Sequence, residues 1–171
     1  MERHFTVTGF VVDGDRTLLH WHRKLGIWLP PGGHIDPNED PVQAVLREVR
    51  EETGIVAEIV PSGRSFAFTN VASLPAPISI IVADVDGFEP HQHIDMSYVV
   101  RPVAGAAQRE PEGDHGFVWV SEEQLRHDEP LCIGTSEQFE RVPEDVREVG
   151  LAAIALVRAA SLPAAALNHR T

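Results

Sequence analysis

A single cysteine, a single lysine and a shortage of cations are what this 171-residue sequence has least of. One cysteine, Cys132, excludes an internal disulfide and any multi-cysteine zinc site, and no motif surrounds it, so it is expected to be a half-buried thiol without a role. No apolar run approaches the roughly 20 residues that cross a bilayer, and the opening "MERHFTVTGF" lacks the charged-then-apolar layout of a secretory signal. The expectation is a cytoplasmic protein with no membrane partner. Only 14 Lys and Arg stand against 26 Asp and Glu, a formal net charge of −12 that opposes binding to nucleic acid. If the substrate is itself an anion, a cation must mediate. Arginine supplies nearly all the positive charge, Lys24 being the sole lysine, and nothing in the sequence explains that bias.

What is present is enough for one domain with its own core. Apolar residues make up 43 % and charged residues 23 %, close to globular averages. No repeat, low-complexity linker or composition break divides the chain, so residues 1–171 are read as a single domain. The segment "HFTVTGFVVDGDRTLLHWHR" predicts two strands around a turn at Asp13-Gly14-Asp15. Pro30, Pro31, Gly32 and Gly33 suit neither a helix interior nor a central strand and predict a loop. From about Asp40 to Thr53 the residues Val42, Val45, Leu46 and Val49 recur at helical spacing, with Gly54 placed to stop the helix. Strands are expected in "IVAEIV", "PISIIVADVDG", "MSYVVRPV" and "GFVWV", and a short helix in "SEEQLRH" behind a Ser121 cap. A closing helix over about 143–160 follows, starting near Pro143, with an Ala-rich tail over 161–171 that is expected to fray. The apolar face of that helix either covers the sheet or forms a homodimer contact.

The chemistry gathers in "LPPGGHIDPNEDPVQAVLREVREETGI", residues 29–55. At about 100° per residue, Glu48, Glu51 and Glu52 fall in one narrow arc beside the apolar arc of Val42, Val45, Leu46 and Val49. Like charges at i, i+3 and i+4 each cost a few tenths of a kcal/mol, so stability alone would not group them. Arg47, which reaches Glu51 at i+4, and Arg50 offset only part of that charge. A hard divalent cation such as Mg²⁺ or Mn²⁺, bound through carboxylates and substrate phosphates, would complete the balance. A solvated acidic helix face is the plainer reading, but it leaves the double glycine unexplained, where backbone can approach a ligand closely.

Gly33, Glu39, Arg47-Glu48, Val49, Glu51-Glu52, Gly54 and Ile55 fill every position of the Nudix box, and the chain is identified as a member of the MutT-like Nudix hydrolases. The box covers about a seventh of the chain, while the strand order and "FVWVSEEQL" are also similar to that family. The resemblance implies an α+β fold, a Nudix-type α/β/α sandwich with a mixed central sheet. It implies a metal-dependent pyrophosphohydrolase cleaving a nucleoside diphosphate linked to another group, through water activated on Mg²⁺ or Mn²⁺. Glu48, Glu51 and Glu52 would then be the catalytic metal ligands, joined by the carbonyl of Gly32, and Glu39 would pair with Arg47 to brace the loop. The general base would be Glu51 or Glu52, or a later carboxylate among Glu110, Glu112 and Asp114. Two rivals remain: a catalytically silent nucleotide-binding sensor of the same fold, and an isoprenoid diphosphate isomerase, for which Cys132 lies far from any supporting motif.

Three further features are specific to this chain. In "HQHIDMSY", His91, His93 and Asp95 alternate, so a strand would turn all three to one face. They either line the substrate cleft, as phosphate donors or a metal ligand, or form a wet strand face. His34 follows the double glycine and is expected near the phosphates. His20 and His22 alternate likewise, with surface exposure the plainer reading. The stretch "FAFTNVASLP" after the box lacks the tyrosine and well-placed proline that mark some dinucleoside-polyphosphate and ADP-ribose hydrolases, and no coenzyme A hydrolase signature is seen. The substrate is therefore expected to be a small nucleotide-type molecule of unspecified kind.

Overall fold

In the computed structural model, residues 2–85, 90–106 and 116–161 are described. The alternating β-branched residues at the start form strand β1 (Glu2–Asp13), and Gly14, at φ 67°, turns it back into β2 (Arg16–His22) with Val12 opposite Thr17. This is the predicted hairpin. A short strand β3 (Ile27–Leu29) extends it beyond β2.

The predicted loop differs from what forms. Pro30 and Pro31 do break the chain, but Gly32–His34 becomes strand β4, paired antiparallel with β1 so that Thr6 faces His34 and Thr8 faces Gly32. Side-chain volume is the reason: a Cβ at Gly32 would overlap the Val7 carbonyl oxygen and lie 3.0 Å from Thr8 Cα. Only glycine lets these backbones come that close.

Helix α1 (Pro41–Thr53) begins where expected, with Asp40 accepting from the Val42 and Gln43 amides and Gln43 answering as a capping box. It ends at Gly54 in the left-handed region, φ 71°. The chain continues through β5 (Ala57–Ile59), β6 (Ser79–Val85), β7 (His91–Pro102), β8 (Val118–Ser121), α2 (Glu122–Arg126), β9 (Leu131–Cys132), β10 (Phe139–Glu140) and α3 (Glu144–Ser161). β7 starts five residues earlier than the apolar pattern suggests, taking the histidine run into the strand.

Eight strands make one sheet, ordered β3-β2-β1-β7-β5, with β4 on β1, β6 on β7 and β8 on β2. β1 and β7 run parallel and the other pairs antiparallel, so the sheet is mixed. The pleat of β1 divides the core. Val7 and Val11 point to α1, meeting Val45, Val49 and Tyr98, while Phe10 and Val12 point to α3, meeting Leu125, Ile154 and Val157. Helices therefore cover both faces, which is the expected sandwich. No helix among the described residues is long and apolar enough to cross a membrane.

Candidate active site

The carboxylates of α1 meet the turn of β4. A Cβ at Gly33 would overlap the Glu48 carboxylate, so the bare glycine is what lets that side chain lie against the backbone. Glu52 Oε2 accepts the Gly32 amide at 3.1 Å. Arg47 is the hub between them. Its guanidinium forks onto Glu39 with two bonds of 2.9 Å, donates to Glu48 at 2.7 Å and Glu51 at 3.2 Å, and reaches the His34 carbonyl at 3.1 Å. This bidentate geometry holds the Glu39 carboxyl below the ordinary carboxylate range and raises the guanidinium further above its own. The Arg47 guanidinium thus faces Glu39, Glu48 and Glu51, with Glu52 beside them on the Gly32 amide. The excess negative charge and all-oxygen donors fit a hard divalent ion.

Beside this cluster opens a cleft of about 710 Å³, within the usual range for small-molecule sites. Of the three grouped glutamates, Glu52 alone lines it. His34, His93 and Asp95 form part of one wall, and His20, His22 and Lys24 part of another. His20 is buried against Phe117, with ring centroids 4.8 Å apart, so it is a cleft residue and not the plain surface histidine expected.

The run in β7 does present His91, His93 and Asp95 to one face, but their settings differ. Asp95 is buried, its Oδ1 accepting from Thr6 and Thr8 at 2.9 Å each and its Oδ2 from Ser97 at 3.1 Å. It ties β1 to β7 where both strands line the cleft. His93 sits among His4, His34 and His91, and burial, followed by these neighbours, pushes its ring below the ordinary histidine range. His91 Nε2 lies 3.1 Å from His93 Nε2. His4, Thr6, Thr8 and Lys24 are additions that the sequence did not single out. The alternation in "HFTVT" is their only local signal, and their importance depends on β1 lying beside β7, which no local pattern encodes. Glu110, Glu112 and Asp114 lie outside the described residues.

The geometry has counterparts among known proteins. The NUDIX domain family model matches residues 2–142. A crystal structure of a NUDIX-family hydrolase from Clostridium perfringens superposes with a TM-score of 0.69 at 28 % identity, covering 92 % of this chain and 99 % of that one. The asymmetrical bis(5′-nucleosyl)-tetraphosphatase of Mus musculus is 60 % identical over 30 residues, 18 % of this chain and 20 % of the relative. The RNA pyrophosphohydrolase of Gluconacetobacter diazotrophicus is 49 % identical over 39 residues, 23 % of each. The matched segments thus span about a fifth of the length of these curated relatives.

Proposed function

Because the chain belongs to the NUDIX domain family, we propose that it is a divalent-metal-dependent pyrophosphohydrolase, cleaving the phosphoric anhydride bond of a small nucleotide-type substrate. The observation that carries this reading is the grouping of Glu48, Glu51 and Glu52 against the tandem glycines, where Arg47 bonds Glu48 and Glu51. These three glutamates and the Gly32 carbonyl would hold Mg²⁺ or Mn²⁺. Such an ion, when bound, neutralises the diphosphate and lowers the pKa of a water.

The chain's own residues supply the rest. Arg47 and Glu39 fix α1 against β4, so that the glutamates keep their spacing. Glu52, lining the cleft, stands where it can take a proton from an attacking water, and the Gly32 amide orients its carboxylate. Lys24, His20 and His22 give the other wall cationic and donor groups suited to phosphate oxygens.

The test is phosphate release over a panel of nucleoside triphosphates, dinucleoside polyphosphates, ADP-ribose and nucleotide sugars, each with Mg²⁺, Mn²⁺ or chelator. Turnover that needs the metal, and that falls by about a hundredfold or more in Glu52→Gln, is expected, on the scale of losing one electrostatic stabiliser. Near-normal turnover by a folded Glu52→Gln protein would overturn the assignment.

A further inference from the structure

A second cluster lies beside the carboxylates and is chemically unlike them. The parallel register of β1 and β7 sets His4 beside His93, and the antiparallel register of β4 sets His34 opposite Thr6, one pleat further on. Four imidazoles converge as a result. Ring centroids are 5.4 Å apart for His4 and His34, 5.0 Å for His34 and His93, 6.0 Å for His4 and His93, and 4.6 Å for His4 and His91.

One ligand atom from each of His4, His34 and His93 lies within 4.8 Å of the other two. A tetrahedral ion with nitrogens at 2.0–2.1 Å needs them about 3.3 Å apart. Closing the difference asks for rotation of side chains whose backbones are fixed by paired strands.

His4 adds an independent sign. Its Nδ1 is buried without a hydrogen-bond partner among the described residues, whereas its Nε2 lies 3.3 Å from the Glu2 carboxylate. Buried polar atoms without partners are rare and call for an explanation. A carboxylate on one ring nitrogen favours the tautomer whose other nitrogen carries a free lone pair, which is the usual support for a metal-bound histidine.

We propose that His4, His34 and His93 form a site for a late first-row divalent ion, with Zn²⁺ as the reference, separate from the glutamate cluster. Imidazole donors suit Zn²⁺, Co²⁺, Ni²⁺ or Cu²⁺ and not Mg²⁺, which takes oxygen. His91 supports the His93 ring at 3.1 Å, and Asp95, already engaged by three hydroxyls, is not a ligand. Three protein ligands leave a fourth position. Since His34 and His93 also line the cleft, that position is open to water or to a phosphate oxygen of a cleft-bound anion.

The experiment uses the full chain without a histidine tag, stripped with chelator and titrated with Zn²⁺ by calorimetry, and with Co²⁺ followed by visible absorption. A Glu48→Gln/Glu52→Gln protein, in which the carboxylate site is disabled, should still bind one Zn²⁺ and show the intense bands of four-coordinate Co²⁺. His93→Asn should lose that ion, by more than the roughly tenfold to hundredfold that removing a supporting group costs. His34 is exposed, so His34→Ala should keep the wild-type melting curve while losing zinc in the same way. A folded His34→Ala protein that binds Zn²⁺ as the parent does would overturn the proposal. So would loss of zinc from the glutamate variant alone. Neither readout involves turnover, so failure here is distinct from failure of the hydrolase reading.

Discussion

Gly32 and Gly33 are neighbours of the same type, yet each is needed for a different reason. A Cβ on Gly32 would run into the backbone of β1 at Val7 and Thr8, which cannot yield without breaking the sheet. Gly32→Ala should therefore cost stability, about 1–3 kcal/mol, read as a lower urea midpoint. A Cβ on Gly33 would meet only the end of the Glu48 side chain, which can swing aside. Gly33→Ala should keep the parent's midpoint while turnover falls, by as much as about a hundredfold if Glu48 shifts by an ångström. Unchanged turnover in that variant would show that the seat of Glu48 against β4 does not matter. At this scale the glutamates were legible because helical spacing is a local signal, and Arg47 reaches Glu51 as its i+4 position requires. The cage around Asp95 was not, because Thr6 and Thr8 come from 89 and 87 residues away.

Among the elements, α2 is held to α3 by Glu122, which takes Arg126 from its own helix and Arg158 from α3. The hydrogen bond from Arg158, then that from Arg126, keeps the Glu122 carboxyl below its ordinary value of 4.5. A carboxylate depressed in the folded state adds stability above its unfolded pKa and loses it as pH falls through the folded one. Glu122→Gln should accordingly lower the denaturant midpoint at neutral pH, with the gap to the parent closing as the pH falls below 4.5 and through the depressed folded-state value. A gap that stays constant over that range would assign the effect to shape and not to charge. Both arginines are largely exposed, so the drop should be small. The capped helices α1 and α2 and the hairpin of β1 and β2 were readable because their signals are short-range. β4 was hidden by the turn chemistry of Pro30 and Pro31, and β9 and β10, two residues each, are too short to carry a pattern.

Across the whole molecule, the family match ends at residue 142, just before α3 begins. Yet α3 sends Val146, Ala153, Ile154 and Val157 into the same core as Phe10 and Leu125. Ile154 is fully buried, and Ile154→Ala should cost about 2–5 kcal/mol, measurable by urea unfolding. A loss under 1 kcal/mol, the scale of a surface change, would show that α3 is dispensable cover. The alternating strands announce a sheet, but not that β1 and β7 run side by side in parallel. That one pairing also sets a clock. At a synthesis rate of about 5–20 residues per second, His93 is added some 4–18 s after His4, its partner across the strands. Through that wait β1 has β2 and β4 to pair with, and α1 can close over Val7 and Val11, but its other edge stays open to any passing strand. A nascent chain that has not yet reached Asp95 holds Glu48, Glu51 and Glu52 but lacks the strand that completes the cleft beside them.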